Sequence, residues 1–250
     1  MELWQVFVYE LIGTMILLII GLGVNATATL KGTHARPKDA SPNANTSNWL
    51  FVSLGWGVAI MMGVYFAIYT GAAINPAVGI GYWITGTWDV SNFFVALAGE
   101  LVGALLGAMF ISFVFWSRIE KHENKDEVAG IYVTGNSFET NNTMNWTRNF
   151  TVELVGTFTL VFAVLLPQVV DAAGPAFSPI FVGLVVFGIA MSIGSITGFS
   201  LNPARDLMPR LTHMFLPLKE KGPSNWMYSI VGTIAPLCGG AIAAGIIMAL

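Results

Sequence analysis

Charge is what this sequence has least of. Lysine and arginine number 11 and aspartate and glutamate 14 in 250 residues, so 10% of the chain is charged while 55% is hydrophobic. Soluble domains carry about 25% charged residues; a water-soluble globule is excluded and an integral membrane protein is indicated. The net charge of −3 is too small to draw nucleic acid or an acidic partner. The single cysteine, Cys238, excludes a disulfide within the chain and reads as a small packing residue. The three histidines, His34, His122 and His213, fall in or near polar connections, which leaves little for a metal cluster or a proton wire. No nucleophile, base and orienting group converge in the apolar segments, so neither enzyme chemistry nor a cofactor is expected. No cleavable signal is expected, because the apolar start Leu3–Val24 is long enough to span and lacks a basic flank before it.

What the chain does have is long apolar runs. Six approach or exceed the roughly 20 residues of a spanning helix: Leu3–Val24, Trp49–Tyr69, Phe93–Trp116, Phe150–Pro167, Ser178–Gly198 and Trp226–Leu250. Two shorter pieces, Asn75–Ile84 and Asn202–Leu211, cannot cross a bilayer and read as re-entrant half-helices. The halves echo each other: Glu10-Leu11-Ile12-Gly13-Thr14 returns as Glu153-Leu154-Val155-Gly156-Thr157, and each half carries one short piece. Three spans per half is an odd number, so the second repeat is inverted, and inverted repeats put their working site near the bilayer midplane. The expectation is an all-α membrane protein of six transmembrane helices and two half-helices. It forms one domain over residues 1–250, with a first repeat at 1–116, a connecting loop at 117–149 and a second repeat at 150–250. The charge run Glu120–Glu127 in that loop reads as solvated. Gly99, Gly103 and Gly107 at four-residue spacing read as a close-packing face, with pore lining as the alternative.

Each short piece opens on the same three residues, Asn75-Pro76-Ala77 and Asn202-Pro203-Ala204. Asparagine is a preferred N-cap and proline suits the first helical turn. Irregular backbone at membrane depth is tolerated only when buried in protein or lining a watery cavity. Two half-helices entering from opposite faces would meet N-terminus to N-terminus, creating a positive electrostatic maximum that repels cations and protons. With each Asn carbonyl capping its own helix, the amide nitrogens face the lumen as donors and interrupt a hydrogen-bonded file of water. Arg205 follows the second motif. A charge in a span costs at least about 2.5–3.5 kcal/mol, which favours a lumen-facing guanidinium over the alternative of pairing with Asp206. Glu10, Glu100 and Glu153 are intramembrane acids. They read as acceptors for the backbone of the re-entrant loops, with proton coupling as the alternative.

These motifs carry a resemblance to the major intrinsic protein family, the aquaporins and glycerol facilitators. It runs through Glu10–Thr14, Thr70–Val78 and Thr197–Asp206 and covers nearly the whole chain. Asp206 after Arg205 is similar to the glycerol-facilitator branch. The resemblance implies a filter of Phe199 and Arg205 with Trp56 as second aromatic and Ala190 from the fifth span. Glu10, Glu153 and Asp206 would act in support. Trp56 and Phe199 would hold a carbon backbone while Arg205 holds hydroxyls. The chain departs from the family at Ala73, where His is usual, at Gly79, where Thr is common, and at Ala190, where glycerol facilitators have Gly.

The function this implies is a passive channel for small uncharged solutes, chiefly glycerol and water, that excludes protons and ions. It would sit as a multi-pass protein among the lipids of the plasma membrane, as a homotetramer with one pore per subunit, and with no nucleic acid, metal or cofactor. Family resemblance puts both termini in the cytoplasm, although on that topology Lys31, Arg36, Lys38, Arg118, Lys121, Lys125, Arg148, Arg205, Arg210, Lys219 and Lys221 all lie toward the outside, against the positive-inside rule. Rival readings are a proton- or ion-coupled secondary transporter, a non-conducting structural protein, and a pore preferring water, lactic acid, urea or dihydroxyacetone. Phe199→His is expected to cut glycerol flux more than water flux in vesicle-swelling assays; equal losses would contradict the filter assignment.

Overall fold

The computed structural model describes residues 1–37, 49–135, 143–166, 174 and 176–250. Lys38, Pro167 and much of the first polar connection lie outside these residues. All regular structure described is helical: α1 (Leu3–Thr29), α2 (Trp49–Ala67), α3 (Pro76–Ile84), α4 (Val90–Ile119), α5 (Lys125–Tyr132), α6 (Thr143–Leu165), α7 (Ser178–Met191), α8 (Pro203–Phe215) and α9 (Trp226–Ala249). Five of them, α1, α2, α4, α6 and α9, are long and apolar enough to cross a membrane by themselves, α2 with the 3-10 turn Ile68–Thr70 that continues it. The fifth expected stretch, Ser178–Gly198, divides. Its α-helix ends at Met191 after 14 residues and a 3-10 turn continues it over Ile193–Ile196.

Contacts between helices follow a two-fold pattern. α1 packs on α4 as α6 packs on α9; α3 lies against α9 as α8 lies against α4; α2 meets α7 between the halves. Small residues make the first pair possible. A Cβ on Gly99 would stand 2.5 Å from the carbonyl oxygen of Phe7, and one on Gly103 would stand 2.2 Å from that of Leu11. In the second half a Cβ on Gly239 would stand 2.4 Å from the carbonyl oxygen of Leu154. Without a hydrophobic drive between helices in lipid, such backbone approach is what dispersion and packing need. Leu54, Phe66, Phe113 and Phe215 are exposed on the outside of the bundle, where an apolar solvent suits them.

The termini share one face, called here the terminal face; the long connections lie on the other, the loop face. The charge run Glu120–Glu127 is more structured than a solvated loop. Asn124 caps α5 by accepting from the N–H groups of Asp126 and Glu127. Glu127 accepts from buried Arg36 at 2.7 Å and contacts the His122 ring at 2.9 Å. Partial burial pushes the Glu127 carboxyl up, but the bonds from Arg36 and His122 and their charges outweigh it and hold the group below the usual carboxylate range. The apolar side of α5, Val128, Ile131 and Tyr132, is buried against the bundle. Its pattern is too short and too near the charges to register as a span.

Gly103→Ala is expected to destabilise the purified protein by about 1–3 kcal/mol through overpacking, read as a fall in unfolding temperature in detergent. Gly245→Ala, where a Cβ meets nothing within 4 Å, is expected to leave it unchanged.

Candidate functional site

The two re-entrant loops have nearly the same backbone. Counting back from each asparagine, Gly71 and Gly198 have φ of +94° and +76°, Ala72 and Phe199 have +55° and +39°, and Ile74 and Leu201 have +43° and +53°. Only glycine accepts such angles readily; the four other residues cost on the order of 1–3 kcal/mol each. Two buried carboxylates hold them there. Glu10 accepts from the N–H groups of Ala73 (3.2 Å) and Ile74 (2.7 Å) and from the Thr70 hydroxyl. Glu153 accepts from Ser200 and Leu201, both at 2.9 Å, and is bonded to the Thr197 side chain. Such hydrogen bonds contribute about 0.5–1.5 kcal/mol each, the same order as the strain they oppose. Glu100, without such a counterpart, accepts from the Asn75 N–H at 2.9 Å.

Each loop ends on its capping asparagine. Asn75 Oδ1 accepts from Ala77 N–H at 2.9 Å; Asn202 Oδ1 accepts from Ala204 at 2.9 Å and Arg205 at 3.2 Å. Pro76 and Pro203 take the first helical position, as their missing N–H allows. The amide nitrogens then cross over. Asn75 Nδ2 donates to the carbonyl of Leu201 and Asn202 Nδ2 to that of Ile74, both at 2.8 Å. One hydrogen of each amide is thereby committed to the opposite loop and one remains. The half-helices therefore face each other N-terminus to N-terminus, joined by their own caps.

Two cavities flank this junction. One of about 340 Å³ opens toward the terminal face, walled by Ile60, Val64, Val182, Asn75 and the backbone of residues 71–74. Tyr82 closes its lower side, donating to the Gly71 carbonyl at 2.8 Å. The other, about 580 Å³, opens toward the loop face and reaches Trp56, Phe199 and Arg205 at its base, with Asn25, Trp49 and α5 along its sides. Trp56 and Phe199 meet edge to face, with ring centroids 5.9 Å apart at 90°. The Arg205 guanidinium carbon lies 4.2 Å from the centroid of the Trp56 ring. A carbon chain between two surfaces needs about 7–8 Å, so nothing fits between the two until the arginine side chain moves aside. Among the described residues, Arg205 Nε and Nη1 are buried without a hydrogen-bond partner. Ala190 is fully buried; its carbonyl accepts from Trp49 Nε1 at 2.8 Å.

Asp206 does not partner Arg205. It forms a fully buried pair with Arg210, one turn further on, through Arg210 Nη2 to Oδ1 at 2.5 Å and Nε to Oδ2 at 3.2 Å. Ser229 at 2.9 Å and the Thr134 hydroxyl complete the carboxylate, and Arg210 Nη1 donates to the carbonyls of Ser224 and Asn225 at 2.7 and 2.8 Å. The pair ties α8 to α9 and to the chain after α5, and among the described residues no ion pair involves Arg205. Sequence reading missed Arg210 in this role, although its i,i+4 spacing from Asp206 is visible. It also passed over Trp49, seven residues before Trp56 on the same helix face, whose ring stands 5.7 Å from Phe199.

Cross-bonded half-helices between two cavities, with an aromatic and arginine constriction on one side, define a membrane channel of the inverted-repeat class. The chain belongs to the major intrinsic protein family, whose model matches residues 1–247. It is 34% identical to glycerol uptake facilitator protein 2 of Lactiplantibacillus plantarum, over 96% of this chain and 97% of that protein. It is 32% identical to a probable glycerol uptake facilitator protein of Thermotoga maritima, with 97% of each covered. Among solved structures, the aquaglyceroporin from Plasmodium falciparum superposes with a TM-score of 0.81 at 25% identity, covering 98% of this chain and 95% of that one.

Arg210→Met leaves Asp206 buried and unpaired. The expected loss is about 3–5 kcal/mol, seen as lower yield of folded protein and a lower unfolding temperature.

Proposed function

We propose that this chain is a passive membrane channel for small uncharged solutes, chiefly glycerol and water. Solute moves down its own gradient, no bond is made or broken, and no cofactor takes part. The curated relatives cited are named for glycerol uptake, and the geometry at the constriction supplies a physical reason to extend that to this chain. Glycerol has one carbon edge and one hydroxyl edge. Trp56 and Phe199 offer two apolar walls at right angles, and Arg205 offers Nε and Nη1 donors with no partner among the described residues. The carbon edge lies in the aromatic corner, the hydroxyls take the guanidinium N–H groups, and Arg205 swings off Trp56 to admit them. A hydroxyl that satisfies a buried charged donor recovers part of its desolvation cost, which lowers the barrier for polyols relative to apolar solutes of the same size. Ala190, with only a methyl group, leaves a wider opening on the fifth-span side of the filter than a histidine would.

The observation that carries the reading is the crossed pair of asparagine amides. Solute leaving the filter meets the remaining N–H of Asn75 and Asn202 at the junction of two positive helix ends. Both are donors, so a water there accepts twice and cannot relay a proton across. Cations are repelled by the same partial charges and by Arg205. Glu10, Glu153 and Asp206 act as supports: the first two shape the loops and the third anchors Arg210. Their protons have no path to the lumen in this scheme, which favours a channel over a proton-coupled transporter. The chain works as a homotetramer in the plasma membrane with one pore per subunit and both termini in the cytoplasm, its lipid-facing side chains including Phe113.

Reconstituted vesicles should swell in glycerol and water gradients, with strictly downhill flux and no proton current. Accumulation of solute driven by a proton or sodium gradient would overturn the channel reading. In the same vesicles, oriented by right-side-out preparation, protease should cut between residues 120 and 125 from outside; cutting only from inside would reverse the topology.

A further inference from the structure

We infer that Asn25, in α1, is a positioning residue that sets the orientation of the filter tryptophan and links it to the wall of the loop-face vestibule. The inference rests on the channel reading above and adds a determinant of its selectivity. Trp56 Nε1 donates to Asn25 Oδ1 at 3.0 Å, and Asn25 Nδ2 donates to the carbonyl of Ile131 in α5 at 3.1 Å. The two partners are of opposite kind, a donor and an acceptor, so the amide fits in one orientation only; turned over, both bonds are lost. One turn earlier on the same helix, Gly21 leaves room for the indole: a Cβ there would stand 2.5 Å from Trp56 Cζ3. α1 thus receives the flat of the ring at Gly21 and its N–H at Asn25, while Phe199 and Arg205 meet the ring from α8 and its preceding loop.

The far end of the link matters as much. α5 forms one side of the vestibule through Asp126, Ala129 and Gly130, and it is anchored by the Arg36–Glu127 pair. Asn25 is half-buried and lines that cavity itself. Any shift of α5 is therefore passed by one amide to the ring on which Arg205 rests. Leucine has the same shape as asparagine and neither bonding group. In Asn25→Leu the indole is free to rotate about its own bonds, and the right-angled corner that distinguishes a carbon chain from water is no longer held.

The test is a double-mutant cycle in reconstituted vesicles, with glycerol and water permeabilities measured on the same preparations. Asn25→Leu should lower the glycerol-to-water permeability ratio about fivefold, the equilibrium worth of roughly one hydrogen bond, with water flux retained as the sign of a folded pore. Trp56→Phe has no N–H to place, so adding Asn25→Leu to it should change the ratio no further. Asn25→Asp keeps the acceptor for Trp56 and loses the donor to Ile131; it should stay closer to the parent ratio than Asn25→Leu. An unchanged ratio in Asn25→Leu, or the same fall in the Trp56→Phe background, would overturn the inference. Failure of the unsubstituted protein to pass either solute would instead overturn the channel reading.

Discussion

Backbone amides that stand where lipid would otherwise be must find acceptors inside the protein. In this chain that demand falls on two carboxylates. Glu10 and Glu153 each take two successive N–H groups of a re-entrant loop, and each is joined by a threonine five residues before the capping asparagine. Everything nearer the axis follows from them. The loops hold left-handed angles at Ala72, Ile74, Phe199 and Leu201 because their N–H groups are already committed. Those angles turn the Ile74 and Leu201 carbonyls toward the opposite asparagine, and one of them sets Phe199 against Trp56 in the loop-face cavity. An acid that looks like a candidate for proton transfer is, in this geometry, fully used in shaping backbone.

The two arginines of α8 divide two tasks that one might assign to a single residue. Arg210 satisfies the Asp206 carboxylate and the carbonyls of the chain entering α9, and is buried among them. Arg205, five residues earlier, has Nε and Nη1 buried with no hydrogen-bond partner among the described residues. Had Asp206 faced Arg205, the charge at the constriction would have been neutralised and its N–H groups occupied. The i,i+4 pair commits the Asp206 carboxylate to Arg210, so it makes no hydrogen bond to Arg205.

Much of this was legible in the residues. The six apolar runs, the two Asn-Pro-Ala starts and the echo of Glu10–Thr14 in Glu153–Thr157 identify the helices and their pairing, because each is a local pattern with one physical reading. Boundaries were less legible: α6 begins at Thr143 rather than Phe150, since its first turns are polar, and α7 ends at Met191, where the chain tightens into a 3-10 turn. α5 was hidden by its charges. Asn25, Trp49 and Arg210 were not picked out because their partners, Trp56 with Ile131, Phe199 with Ala190, and Asp206 with Ser224, come together mostly through tertiary packing. An apolar span carrying one asparagine is a weak signal until the indole across from it is seen.

The crossing of the asparagine amides has a consequence for how the molecule is made. Each bond needs a carbonyl from the other half of the chain, 126 and 128 residues away in sequence. A nascent chain that has emerged only through α4 can fill Glu10 and cap α3, yet the Asn75 nitrogen still lacks the carbonyl it will use. The junction between the two half-helices therefore cannot close until the second loop is in place.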